Sequence, residues 1–236
     1  MLKEIVKNNL IPFNNFIFGT ADLNGLIDKK FGDFQFGISI GKKLDDKIID
    51  DIKTGPTLEY YNYYHQINLE LAQIAENIKV DLKKANIDSI VIAPTFHTNS
   101  KKFKKYLQTL TLDISHKMVA TRAGLGWIGK TDLFVSQDFG ARLRLVSLLI
   151  NQKPEIASIP INKSKCGNCK ICVEQCPAKA ANGKLWTTQI HRDEFFDAHS
   201  CRQYCELAKK NLNIDGRICG ICISVCPIRK RNNTVN

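Results

Sequence analysis

CGNCKICVEQCP, residues 166–177, and CGICISVCP, residues 219–227, decide how the rest of this chain is read. The first stretch is Cys166-x2-Cys169-x2-Cys172-x3-Cys176-Pro177, the spacing of bacterial ferredoxins. Three thiolates from one tight loop cap three irons of a cubane, and the fourth cysteine is carried away to ligate a second cluster. Pro177 suits that turn because it has no N–H to continue the preceding hydrogen bonds. Four-cysteine zinc sites are also built from C-x2-C pairs, but zinc leaves the third cysteine and the C-P step unexplained. The second stretch, Cys219-x2-Cys222-x3-Cys226-Pro227, has one cysteine fewer. Crossover assigns Cys226 to Cys166, Cys169 and Cys172. The other cluster then takes Cys176, Cys219, Cys222 and one of the two cysteines left over, Cys201 or Cys205. Two clusters wired in this way form a one-electron conduit.

The bulk composition fits that reading. The chain has 236 residues, of which 44% are hydrophobic and 24% charged, the balance of a globular protein. It holds no run of the roughly 18 apolar residues that a membrane helix needs. The N-terminal MLKEIVKNNLIPFNNFIF, broken by Asn and Pro, does not read as a signal peptide. The expected location is the cytoplasm, without a membrane, where nine cysteines serve as metal ligands rather than disulfides. The formal charge is +11, and two clusters at about −2 each would leave about +7. The lysines are scattered apart from KKFKK at 101–105 and RKR at 229–231. A solvated basic surface accounts for them, as does a surface that meets nucleic acid or an acidic redox partner.

Ahead of the cysteines the pattern alternates. FQFGISI (34–40) is strand-like, and LDDKIIDDIK (44–53) is helical up to Gly55-Pro56. From Pro56 to Asn86, apolar residues recur every three to four positions, the signature of one long amphipathic helix. SIVIAP (89–94) is a buried strand, KKFKKYLQTL and SHKMVATRA are helices, and DLFVS (132–136) and ARLRLVSLLI (141–150) are strands. Such mixing implies an α/β layer domain. Residues 151–165, with two prolines, look like a connector. The expected organisation is therefore an α/β domain over 1–160 and a cysteine module over 161–236. A plain ferredoxin needs no such leading domain, so something in it receives the electrons.

AGLGWIGK (123–130), within ISHKMVATRAGLGWIGKTDLFVSQDFGARLRLVSLL, together with the cysteine module resembles the epoxyqueuosine reductase family, which is related to reductive dehalogenases. The resemblance is dense over 113–150 and 166–227 and looser over 55–75. Since the chain ends soon after the second motif, without the helical repeats that full-length members use on tRNA, it is to a short homologue. It implies a flavin-reductase-like α/β domain followed by a ferredoxin-like module with two 4Fe–4S clusters. It also selects Cys201 as the missing ligand, leaving Cys205 as a spare thiol. The further implications are cobalamin bound base-off, an external low-potential donor of flavodoxin or ferredoxin type, and a small-molecule or modified-nucleoside substrate, with tRNA as a partner. Asp197-x-His199 begins the D-x-H-x-x-G pattern of an axial cobalt ligand, but Arg202 stands at the glycine. The family's acidic donor, in a D-S/T-A-P stretch ahead of AGLGW, has no literal counterpart, and Asp113 and His116 stand nearest to it. Candidate cofactor contacts are Gly124, Gly126, Trp127, Gly129 and Lys130, with Arg142 and Arg144 on one strand face and Tyr61 and His65 one helical turn apart. Trp186, Phe195 and Phe196 are expected to shield the clusters from water. A non-cobalamin electron-transfer adaptor and a basic tRNA-binding accessory protein are the competing readings.

Overall fold

The structure, a computed structural model, describes residues 1–95, 101–155 and 158–228. His97 and the RKR run at 229–231 lie outside them. In chain order the elements are α1 (Leu2–Leu10), β1 (Phe16–Asp22), β2 (Phe36–Lys43), α2 (Asp46–Asp50), α3 (Leu58–Lys84), β3 (Ser89–Ile92), α4 (Lys101–Thr109) and α5 (His116–Arg122). They continue with β4 (Gly126–Ile128), β5 (Phe134–Ser136), β6 (Leu143–Ile150), α6 (Ile171–Glu174), α7 (Ala198–Leu212) and α8 (Ile221–Ser224). The mixed α/β class read from the sequence holds.

Two compact units divide the chain, and they interleave. One comprises Met1–Lys42, Tyr64–Leu125 and Arg144–Ile161; the other comprises Lys43–Tyr63, Gly126–Leu143 and Asn162–Asn236. The boundary expected near residue 160 marks where the cysteine segment starts, but that unit also draws in two earlier segments. Sequence composition points to contiguous blocks and cannot show such recruitment.

The first unit is built on a sheet ordered β1-β2-β6-β3. β1 and β2 run antiparallel with Phe16 opposite Lys42, and β3 and β6 run antiparallel with Ser89 opposite Ile150. The long helix forms as its period requires. Thr57 Oγ1 accepts the Tyr60 N–H at its start, and Asn86, at φ 61°, turns the chain beyond its end. Ile67, Leu71, Ile74, Ile78 and Leu82 are each at most 2% exposed. Burying each such side chain contributes about 1.5–3 kcal/mol before the entropy of ordering is set against it. α5 is capped by Ser115, whose hydroxyl accepts the Met118 N–H, and is closed by Gly124 at φ 71°. It lies against β1 at Gly19, where an added Cβ would come within 2.9 Å of the Ala123 carbonyl oxygen. β1 escaped the sequence reading because most of it is half-buried and shows no alternation.

The second unit holds the β4–β5 hairpin, with Trp127 opposite Val135, and the short helices around the cysteines. α7 starts at Asp197, whose carboxylate accepts the His199 and Ser200 N–H groups, and ends at Asn213 in the left-handed region. No described helix is long and apolar enough to cross a membrane.

Candidate metal centre

All nine cysteines are free thiols within the second unit. They sort into two sets. Cys172 lies in the field of Cys226, Cys166 and Cys169, and Cys226 in that of Cys166 and Cys169. Cys219 feels Cys201 and Cys176, and Cys222 feels Cys219 and Cys201. These fields group Cys166, Cys169, Cys172 and Cys226 on one side and Cys176, Cys201, Cys219 and Cys222 on the other; Cys205 also lies in the field of Cys201, Cys219 and Cys222, so the fields leave the choice between Cys201 and Cys205 open. Cys205, one helical turn after Cys201 on α7, donates its S–H to Cys201, which lowers the pKa of Cys201 and raises its own. Burial first, and neighbouring thiols second, push Cys172 and Cys219 each up to about 11. Thiols so raised keep their protons until a metal displaces them.

The donor chemistry fits iron–sulfur cubanes. Among the described residues, no three His, Cys, Asp or Glu side chains close on a point the size of one ion. Gly167 and Gly220 take φ values of 54° and 89° in the two ligand loops, a region open to glycine and strained for other residues.

The GWIGK stretch serves this same centre. Trp127 is 6% exposed and aims its indole N–H at Cys166 Sγ, 3.3 Å away. Lys130 is 2% exposed, and its ammonium donates to the carbonyl oxygens of Gly167 and Cys169, both at 2.9 Å. A Cβ on Gly129 would sit 3.6 Å from Cys166 Sγ, and one on Gly126 only 2.1 Å from the Val135 carbonyl oxygen. Gly124 is hemmed in by the Ile159 carbonyl, 2.7 Å from an added Cβ. These glycines therefore make room for the chain itself.

Arg142 lies just before β6 and Arg144 within it, and the two take different partners. Arg142, 1% exposed, donates to Asp46 Oδ1 at 2.9 Å, Asp50 Oδ1 at 2.6 Å and the Ser224 carbonyl at 3.1 Å. It thus ties α2 to the end of α8, one residue from Val225 and two from Cys226. Sequence reasoning had no signal for this, because an arginine beside a strand reads as solvated. Tyr61 packs against Gly216, where an added Cβ would come within 2.6 Å of its ring. His65 is exposed, its ring edge-on to Tyr64 at 5.4 Å.

In the first unit Arg144 donates to Asn68 Oδ1 from Nε at 3.2 Å and from Nη2 at 2.8 Å, with its guanidinium 4.2 Å from the Tyr64 ring centre. Burial alone would raise the Tyr64 phenol's pKa, but the charge of Arg144 and bonds from Thr95 and Arg144 help bring it below its usual value. The Asn68 amide nitrogen is buried and lacks a partner. A buried amide without an acceptor, beside a guanidinium that bonds Asn68 rather than a carboxylate among the described residues, fits an acceptor-rich ligand such as the amide rim of a corrin.

Asp113 and His116 turn to different partners. Asp113 is exposed and pairs with Lys30 at 2.8 Å. His116 Nδ1 lies 3.0 Å from Ser147 Oγ and Nε2 lies 3.1 Å from the Ala93 carbonyl, so Nε2 carries the proton and Nδ1 accepts. Burial, with the Arg144 charge adding, lowers the ring's pKa to about 4. A separate cavity of about 390 Å³ in the same unit is lined by residues that include Glu4, Phe18, Ala123 and Glu155.

By its fold and its ferredoxin-type cysteine spacing, the chain is an iron–sulfur protein. The family described as a 4Fe-4S binding domain matches residues 159–181. Within that class the chain is a relative of the epoxyqueuosine reductases. It is 28% identical over 211 residues to the epoxyqueuosine reductase of Cyclobacterium marinum, covering 79% of this chain and 62% of that protein. An epoxyqueuosine reductase structure from Bacillus subtilis matches with TM-score 0.59 at 16% identity, over 97% of this chain and 65% of that one. A reductive dehalogenase structure described in terms of B12-dependent dehalogenation matches with TM-score 0.66 at 13% identity, over 97% and 32%. Both structures share the fold.

Proposed function

We propose that the chain is an iron–sulfur oxidoreductase of the epoxyqueuosine reductase kind, working in the cytoplasm. An external donor of flavodoxin or ferredoxin type gives electrons singly to two 4Fe–4S clusters, and an organic substrate of modified-nucleoside type accepts them at the first unit. What supports this reading is the grouping of Cys166, Cys169, Cys172 and Cys226 apart from Cys176, Cys201, Cys219 and Cys222, with Cys201 rather than Cys205 taken as the fourth ligand of the second set on the family resemblance. The chain's own groups fill defined roles. The thiolates hold the irons, and the Trp127 N–H offsets charge on Cys166. Lys130 clamps the first ligand loop. Arg144 and Asn68 would hold cobalamin through its amide oxygens, and that group, when bound, supplies a cobalt centre able to attack or reduce carbon. The candidate proton donors are Asp113 and His116; the neutral His116 ring would give up its Nε2 hydrogen only as its Nδ1, beside Ser147 Oγ, takes up another proton. The basic charge of +11 favours a polyanionic tRNA as the carrier of the nucleoside.

The test is anaerobic reconstitution followed by iron and sulfide analysis, then gel filtration with added cobalamin. The expected result is about eight irons per chain and cobalamin that co-elutes with a base-off spectrum. Zinc, or about four irons, overturns the two-cluster reading; cobalamin eluting freely from protein with intact clusters overturns the corrin reading.

A further inference from the structure

The loop that carries Cys166, Cys169 and Cys172 and the turn that carries Cys219 and Cys222 sit in unlike electrostatic surroundings. At the first, a buried cation lacks a counter-ion. Lys130 is 2% exposed, and its ammonium is met by the carbonyl oxygens of Gly167 and Cys169, each at 2.9 Å. It pairs with no carboxylate among the described residues, so its unit charge stays in place. Beside it the Trp127 indole N–H donates to Cys166 Sγ at 3.3 Å, a hydrogen bond to the ligand sulfur itself. The buried cation at the second motif is Arg142, which donates to the Ser224 carbonyl midway between Cys222 and Cys226. Its charge is met by Asp46 and Asp50 at 2.9 and 2.6 Å, and those carboxylates also face Lys43 and Lys53. Arg142 therefore favours neither side. Water adds to the contrast, since Gly167, Asn168 and Lys170 are exposed, whereas Ile218 and Ile221, which bracket Cys219 and Gly220, are buried.

Taking up one electron makes a cluster more negative. A fixed positive charge, an N–H aimed at a ligand sulfur and contact with water each stabilise that state and raise the reduction potential. All three act at the first loop. We propose that Lys130 and Trp127 set the cluster of Cys166, Cys169 and Cys172 at the higher potential of the two, so that an electron entering the pair comes to rest there. One electron passes from the second cluster to the first, and no proton or bond changes hands. An organic substrate reduced by an electron pair needs such a store when its donor delivers electrons singly. This rests on the two-cluster reading above.

The test is a redox titration of the reconstituted holoprotein followed by EPR, comparing wild type with Trp127→Phe and Lys130→Gln. Phe keeps a buried ring and removes the N–H; Gln keeps an amide donor for the two carbonyls and removes the charge. Iron is counted first. About eight irons in the wild type satisfies the two-cluster reading, and about four removes it and this inference together. With both clusters present, the wild type should take up its two electrons in separate waves. Trp127→Phe should lower the reduced-to-oxidised ratio of the cluster that reduces first about two- to tenfold at a fixed potential, the range one hydrogen bond supplies. Lys130→Gln should lower it by at least as much, and both variants should leave the later wave where it was. Coincident waves in the wild type, an unmoved first wave in the variants, or a shift confined to the later wave overturns the proposal. So does loss of a cluster in both variants, since that assigns the two side chains to holding the loop alone; if one variant loads poorly, the other decides by the same criteria.

Discussion

Single residues carry the sharpest expectations. Replacing Cys201 by Ser should remove about half of the iron, one of two clusters, while Cys205→Ser should keep nearly all of it; metal analysis of the two purified variants distinguishes them. Cys205 donates to Cys201 in the structure, so its loss leaves the ligand itself in place. His116 offers a pH signature. Its folded pKa of about 4 lies below the ordinary 6.5, so the folded ring is neutral where the unfolded ring takes up a proton. Above pH 6.5 the residue imposes no penalty. As pH falls from 6.5 toward 4, folding loses up to about 3 kcal/mol from this ring. NMR of the imidazole nitrogens should show the Nε2–H tautomer persisting at pH 5.5, and an imidazolium there would refute the assignment. At this scale the cysteine spacing was legible as a ligand pattern. The role of Arg142 was not, because it acquires its meaning from Asp46 and Asp50, far from it along the chain.

Elements were legible where period and caps agree. α3 follows its apolar stripe from Tyr60 to Leu82, and β6 follows its branched residues. β4 has three residues, too few for any period to register. α2 is a shorter version of the helix read over 44–53 because Asp45 caps it late, leaving the buried Leu44 ahead of the helix and Ile52 beyond its end. It is held by Arg142, so Arg142→Leu should cost about 2–3 kcal/mol, below the usual figure for a broken buried pair because Asp46 and Asp50 are partly exposed. A denaturant midpoint under anaerobic conditions measures this, and a stability equal to wild type would remove α2's dependence on that guanidinium. The hairpin is less tolerant. Gly126→Ala places a methyl 2.1 Å from the Val135 carbonyl oxygen, so β4 and β5 must separate, and iron loading of the first thiol set should fall with them.

For the whole molecule, the class and the relatives were legible from motifs spread over most of the chain, while its division was not. The formal charge of +11 acts at long range. Reduction of the clusters by an acidic donor protein should therefore slow several-fold as salt rises from low to physiological strength, measured by stopped-flow absorbance. A rate indifferent to salt would place the donor's docking on uncharged surface. The interleaving of the two units also fixes the order of biogenesis. A ribosome releases Lys43–Tyr63 and Gly126–Leu143 long before Cys226 emerges, so these early segments wait for partners made later, and a cluster that takes Cys226 as a ligand can be completed only then. A gene cut at residue 160 would accordingly yield a fragment with every sulfur ligand and none of the scaffold that steadies them.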